Sequence, residues 1–197
     1  MNRKLDLGCG LNKSPRSIGL DANPSATSAD VIADLNHPLP FPDCSFDEVR
    51  AVHVIEHVHD IMQSMAEIHR VARAGGRLYL VTPHYSDSNS CRDPTHRWHL
   101  NTYSFRFWTA RGLHGERHWY TRIEMREVSL HVELARMWKF MGVQWFVNRF
   151  EWFRRFWEQY LCFLVRAKQM EFAFEVVKPQ VSGLRSHAAK VPPGGKT

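Results

Sequence analysis

The chain has 197 residues, of which 44% are hydrophobic and 23% charged, with a net charge of +6. That is material for one domain of ordinary size with its own core, and it excludes wholesale disorder and collagen-like repeats. The charge is uneven: residues 1–96 carry 9 basic against 12 acidic side chains, whereas residues 97–168 carry 13 against 6. An acidic-leaning first half is joined to a basic, aromatic second part, which points to different jobs for the two.

Apolar runs are only a few residues long, so no membrane-spanning helix is expected. A strand-like segment starts at Lys4 with no leader pattern ahead of it, and the four cysteines (Cys9, Cys44, Cys91, Cys162) stand far apart without metal-ligand spacing. Both features read as a cytoplasmic protein with reduced thiols.

Taken in chain order, residues 4–7 read as a buried strand ending in Gly8-Cys9-Gly10. Residues 17–21 read as a second strand, 31–34 as a short third and 48–53 as a fourth. Apolar Ile61, Met65, Ile68 and Val71 make a helical stripe over 59–72, stopped by Gly75-Gly76, and residues 77–82 form a fifth strand ended by Pro83. Strands alternating with crossovers predict a parallel α/β sheet. Leu11–Arg16 is too short for a helical crossover, so at most one helical turn and a partly exposed sheet face are expected there.

Alternation over 127–134 favours a strand, with a helix over 123–141 as the alternative. Residues 144–166 read as helical and dense in aromatics, and 170–177 as a last strand. One domain over 1–178 is expected, with 98–168 as a basic aromatic region within it and 179–197 as a disordered tail.

The sharpest local signal is Leu5-Asp6-Leu7-Gly8-Cys9-Gly10, a strand running into glycines that let backbone approach a ligand at the carboxyl edge. The dinucleotide pattern GxGxxG fails because Lys13 stands at its third glycine, and no phosphate-binding GxxxxGK[ST] is present. Asp6-x-Gly8-x-Gly10 followed by Asp21 at the end of strand two resembles class I S-adenosylmethionine (SAM) methyltransferases, most closely the type 11 group with its small bacterial members. ADLNHPLPFPDCSFDEV (33–49), HVIEHVHD (53–60) and RVARAGGRLYLVTP (70–83) extend the resemblance in correct order. The turn before strand five lacks the proline usual in that group.

The resemblance implies a doubly wound, Rossmann-like, mostly parallel seven-stranded sheet, to which the residues themselves add a shortened first crossover and an aromatic helical insertion before the last strand. It implies SAM as cofactor and S-adenosylhomocysteine as product. Asp21, with Ala22 beside it, would accept from the ribose hydroxyls; Asp34 and the backbone of Leu35 would meet adenine. Gly8, Cys9 and Gly10 would pass the methionyl part, Asp6 would orient that loop or reach the ammonium through water, and His53 would line the methyl-donor channel. Glu56 reads equally well as a helix-start acid and as a ligand.

Residues 84–105 follow strand five and carry His84, Asp87, Asp93, His96 and His99. A histidine suits proton removal from an acceptor near neutral pH. His84 or His96 is the expected general base, with Tyr85 and Asp93 orienting it. His96-x-x-His99 with Asp87 or Asp93, and the group His53, His57 and His59, are conceivable metal ligands, but such loop spacing is poorly diagnostic and no metal is assigned to the expected site.

The aromatic part holds Trp98, Trp108, Trp119, Trp138, Trp145, Trp152 and Trp157 with Arg149, Arg154 and Arg155 among them. A lid over the uncovered sheet face is the favoured reading; a membrane-surface face, nucleic-acid contacts and a homodimer face stay open. The expected function is methyl transfer to an O or N nucleophile of a small-molecule or glycan-type acceptor. The alternatives are a SAM-binding protein without methylation, such as a cyclase or regulatory subunit, and an RNA methyltransferase.

Overall fold

The computed structural model describes residues 2–110 and 121–178. Seven strands make one sheet: β1 (Lys4–Leu7), β2 (Ser17–Asp21), β3 (Val31–Ile32), β4 (Phe46–Val52), β5 (Ala72–Pro83), β6 (Glu124–Leu134) and β7 (Ala167–Val177). Their order is β3-β2-β1-β4-β5-β7-β6. The first five pair in parallel, and β7 runs antiparallel to both β5 and β6. This is the expected α/β sheet, with the β1–β4 junction as the point where strand order reverses.

Register sorts the side chains into two unlike faces. Leu5 and Leu7 lie beside Val49 and Ala51, then Leu78 and Leu80, then Phe174 and Phe172. These residues are buried, and helix α1 (Ile61–Val71) packs Met65 and Ile68 over them in the main core, with Phe105 and Trp108 of a 3-10 turn at Ser104–Trp108. Burying each such apolar side chain is worth roughly 1.5–3 kcal/mol. The other face carries Lys4 beside Glu48, Asp6 beside Arg50 and Arg77 beside Glu175. Ion pairs Lys4–Glu48 and Arg50–Asp6 and the Tyr79–Glu171 hydrogen bond pair these side chains with one another.

The crossovers over 8–16, 22–30 and 33–45 contain turns and no helix. The first is drawn tightly onto its strands: Ser14 N donates to Asp6 Oδ2 at 2.7 Å, and a Cβ on Gly19 would stand 2.6 Å from Lys13 Cδ. The strand order is therefore that of a doubly wound sheet, with α1 on its apolar face and a charged opposite face whose side chains pair with one another.

Local chemistry sets the remaining boundaries. Asp60 caps α1, accepting from Met62 N and Gln63 N at 2.8 and 3.0 Å, so the helix starts at Ile61 rather than 59. It ends at Val71, ahead of Gly75-Gly76, where Ala72 turns extended and pairs with Phe46. The third strand stops at Ile32, short of Asp34. Alternation prevails over the helical alternative in β6.

The single helix expected over 144–166 is instead broken into α4 (Val143–Arg149), α5 (Glu151–Phe156) and a π-helical turn at Trp157–Leu161, with α2 (Ser88–Arg92) and α3 (Arg136–Phe140) lying earlier in the chain. Gly142 at φ +79° and extended Phe150 at φ −120°, ψ 117° make the breaks. The insertion is also no lid over the uncovered face. Val147 and Trp157 pack on Val132 and Leu134, on the side of the sheet that already carries α1, as the register of Val132 beside Met170 requires. Trp119 and the 179–197 tail lie outside the described residues. No described helix is long and apolar enough to cross a membrane.

Candidate active site at the carboxyl edge of the sheet

The carboxyl ends of β1, β2 and β4 open into a cavity of about 370 Å³ lined by Gly8, Asp21, Ala22, Asp34, Leu35, Asn36, His53, Val54, His57 and Val58. Six of these are residues expected from the sequence; Asn36, Val54, His57 and Val58 were not singled out for it. Gly8 has φ +58°, and a Cβ there would sit 2.3 Å from Val54 Cγ2, so only glycine brings bare backbone to the cavity wall.

Asp21 ends β2 with both carboxylate oxygens directed by backbone. Oδ2 accepts from Gly10 N and Oδ1 from Asn23 N, each at 2.8 Å. A carboxylate has about four acceptor sites, so lone pairs remain for two hydroxyl donors. Asp34 is held by Asn36, whose N and Nδ2 both donate to Oδ1 at 2.9 and 2.8 Å. Leu35, Val54 and Val58 supply the apolar part of the wall.

Asp6, Cys9 and Gly10 do not line the cavity. Asp6 is 1% exposed and accepts from Ser14 N and, at 3.3 Å, from Arg50 Nη1, which ties the glycine loop down. Cys9 is buried beneath the loop, and burial pushes its thiol above the ordinary range. Gly10 contributes its N–H to Asp21.

His53 follows β4 at φ +54°, a left-handed conformation rare outside glycine and enriched at sites where the fold over-determines the backbone. Its N–H donates to Val81 O at 2.9 Å, and its Nδ1 lies 3.3 Å from Glu56 Oε1. The hydrogen bond with buried Glu56 is the largest influence on His53 and holds its pKa above the usual histidine value.

The expected proton-removing residues separate. His84 is 0% exposed, at the end of β5. Ser86 N donates to its Nδ1 at 3.2 Å, so Nε2–H donates to Glu158 Oε1 at 3.0 Å, and Glu158 Oε2 accepts from Thr102 Oγ1 at 2.5 Å. This buried network joins β5 to the insertion, and His84 itself lines neither cavity. Tyr85 Oη lies 3.0 Å from Cys162 Sγ, and burial raises its pKa well above the ordinary range. His96 is the one that comes near, its ring centroid 4.6 Å from that of His57 in the cavity wall. Asp93 accepts from Thr95 N and Oγ1 at 2.9 and 2.6 Å, and these bonds hold its pKa below the usual carboxylate value. Asp87 caps α2, accepting from Asn89 N, and His99 Nδ1 lies 2.9 Å from Ser90 Oγ.

A second cavity, of about 570 Å³, lies between the segment after β5 and the insertion, lined by Tyr85, Asn101, Tyr103, Arg106, Arg155, Glu158 and Gln159. Arg106 holds Glu127 and Glu151 at 3.2 and 2.8 Å. Tyr103 Oη is buried without a hydrogen-bond partner. Residues 97–101 connect the two cavities: Arg97 N and Trp98 N donate to Glu56 O, and Tyr85 N donates to Leu100 O. Sequence reasoning missed Glu158 and Arg106, which sit among aromatics that hid them.

The donor set fits SAM: a carboxylate free to take a diol, a second carboxylate with an apolar wall for a purine, and bare glycine backbone between them. Residues 5–80 match the family model described as a methyltransferase domain. A probable SAM-dependent methyltransferase of Mycolicibacterium smegmatis is 36% identical over 118 residues, 49% of this chain and 46% of that protein. Ajmaline N-methyltransferase of Rauvolfia serpentina is 29% identical over 96 residues, 43% of this chain and 31% of that protein. The chain thus spans less than half the length of these curated relatives.

Among solved structures, the Bacillus subtilis YcgJ protein superposes with a TM-score of 0.58 at 15% identity, covering 90% of this chain and 92% of the other. A SAM-dependent methyltransferase from Archaeoglobus fulgidus gives 0.57 at 17% identity, covering 88% and 86%. Glycine loop, acidic strand end and strand order agree with the match of residues 5–80 to the methyltransferase-domain model, and the sheet has the fold of these SAM-dependent methyltransferase structures.

Proposed function

We propose that the protein transfers a methyl group from SAM to an O or N nucleophile of a small polar molecule, such as a glycan-type intermediate. The observation that carries the reading is the cavity in which Gly8, Asp21, Asp34, Leu35 and His53 converge at the carboxyl edge of β1, β2 and β4. Asp21 would hold the ribose hydroxyls, Asp34 and Leu35 the adenine edge, and the Gly8 backbone the methionyl part. SAM, when bound, supplies an electrophilic methyl on a sulfonium. The chain's part is to hold donor and acceptor in line and to exclude water, and such positioning carries most of the acceleration in reactions of this kind.

The second cavity supports the choice of acceptor. Tyrosine hydroxyls, side-chain amides and Arg106 and Arg155 line it, a donor-rich wall suited to a polyhydroxylated or acidic small molecule. Its wall continues through residues 97–101 to the backbone of Glu56 at the cofactor cavity. Arg154, buried at 7% exposure, is unavailable for the surface phosphate contacts that an RNA reading would ask of it.

The test is transfer of label from methyl-labelled SAM to a panel of O- and N-nucleophile acceptors, with RNA as a separate arm. Label on a small-molecule acceptor, reduced at least tenfold by Asp21→Ala, is expected. SAM binding without transfer to any acceptor would favour the non-methylating alternative, and label on RNA alone would replace the acceptor class.

A further inference from the structure

The two histidine groups of the sequence meet in space with a buried carboxylate. Arg97 N and Trp98 N donate to Glu56 O at 2.8 and 3.2 Å, and Trp98 Nε1 donates to Val58 O at 2.8 Å. These bonds press the loop before β6 onto the turn after β4. Ligand atoms of Glu56, His57 and His96 come within 4.8 Å of one another.

Hydrogen bonds then fix what each group offers. Thr95 Oγ1 donates to Asp93 Oδ1 at 2.6 Å, so toward His57 it accepts, and His57 Nδ1–H is the donor at 2.9 Å. His96 Nδ1 lies 3.2 Å from Ser90 O, a carbonyl that can only accept, so Nδ1–H is again the donor. In the neutral ring each histidine therefore keeps Nε2 with its lone pair. Orientation of an imidazole through its other nitrogen is the usual outer-shell arrangement of metal-binding histidines. Glu56 supplies an independent observation. It is 1% exposed, its Oε1 faces His53, and its Oε2 is buried with no hydrogen-bond partner. A buried carboxylate oxygen left unsatisfied is expensive unless something fills its coordination.

We propose that Glu56, His57 and His96 bind a first-row divalent transition-metal ion, of the Zn²⁺ or Fe²⁺ kind, at the wall of the cofactor cavity. Two imidazoles and one carboxylate suit such ions better than Mg²⁺, and three protein ligands leave positions open. Metal–ligand bonds of about 2.0–2.2 Å would require the three donors to draw closer than the 4.8 Å that bounds their separations. His57 lines the cofactor cavity, so an open coordination position would face the place where an acceptor oxygen meets the methyl donor. A hydroxyl bound there would ionise more readily and give its proton to solvent water, leaving the oxygen lone pair to take the methyl as the donor's carbon–sulfur bond breaks. That catalytic role rests on the methyl-transfer reading; the ion site itself does not.

The experiment is calorimetric and spectroscopic titration of chelator-treated protein with Zn²⁺, Co²⁺ and Mg²⁺ alone, with no SAM present. One equivalent of Zn²⁺ or Co²⁺ is expected, with visible Co²⁺ bands showing nitrogen ligation and affinity at least tenfold above that for Mg²⁺. His57→Ala and His96→Ala should each lower Zn²⁺ affinity at least tenfold while the circular dichroism spectrum stays that of the wild type. Glu56→Gln should do the same, and His57→Ala, at a partly exposed position, keeps the test informative if the buried substitution fails to fold. No binding, binding equal for Mg²⁺ and Zn²⁺, or binding unchanged in both histidine variants would overturn the site. SAM binding measured separately distinguishes the two failures: a protein that takes Zn²⁺ but not SAM loses the methyltransferase reading and keeps the metal site.

Discussion

The half of the sheet built from β1 to β4 and the insertion between β6 and β7 make opposite use of their residues. In the first, function is carried by backbone. Gly8 and His53 at positive φ, and a carboxylate held by two N–H groups at Asp21, shape a cavity from short turns that contain no helix. In the second, side chains carry the structure. Trp157 is fully buried and donates to Val165 O, and Glu158 ties the insertion to His84 and Thr102. The same insertion leaves Phe140 at 94%, Trp152 at 68% and Tyr160 at 72% exposure. The β1–β4 cavity is thus specified by local geometry and the second cavity by long-range contacts, so the two should respond to substitution in different ways.

The largest separation is expected from Glu158→Ala. It strands the buried His84 Nε2–H and the Thr102 hydroxyl, and removing one partner of such a buried network costs about 3 kcal/mol. Chemical denaturation should show that loss, while affinity for S-adenosylhomocysteine (SAH) measured in the folded variant stays within about threefold of wild type. A tenfold loss of SAH affinity would mean that the halves are coupled.

Gly8→Ala reverses the pattern. The left-handed backbone costs an alanine roughly 1–2 kcal/mol, and its Cβ would press on Val54 in the cavity wall. SAH affinity should fall at least tenfold, and Gly8→Ala with Val54→Ala should recover part of it.

How much of this was legible in the sequence follows the same division. Lys4–Leu7 and Ser17–Asp21 are found as expected, and the glycine loop and the strand-end Asp21 stand together in one cavity. Those features are local: strand alternation, glycine at positive φ and an acid at a strand end leave marks within ten residues. The insertion was not legible. Nothing local in 144–166 announces that Phe150 turns extended, that Glu158 faces His84 across 74 residues, or which sheet face the aromatics choose. The pairing of His57 with His96 escaped for the same reason, since it depends on Trp98 anchoring the loop to Val58.

A smaller effect is expected from His69. Burial, the largest influence, holds its pKa below the usual value, and its Nε2 bonds Val177 O at 2.9 Å at the end of β7. A depressed folded value means that the folded state binds fewer protons, so His69 contributes stability above about pH 6.5, lost as pH falls through the lower folded value. The unfolding midpoint should drop between pH 7.5 and pH 5, and His69→Gln should flatten that slope.

The smallest effect belongs to the exposed aromatics. Phe140→Ser and Trp152→Ser should each change stability by less than about 0.5 kcal/mol, because neither side chain is in the core. Chemical denaturation checks this, and a loss of more than 1 kcal/mol would show that the face is covered in solution.

The central claim is that the carboxyl-edge cavity binds the adenosyl cofactor through Asp21. Calorimetric titration of SAH into wild type and Asp21→Ala tests it most directly. The account predicts one site per chain in the wild type and an affinity at least about 30-fold weaker in a folded Asp21→Ala, as expected when a charge-assisted hydrogen-bonding group worth about 2 kcal/mol is removed. Equal affinity in the two proteins, or no binding by the wild type, would contradict it.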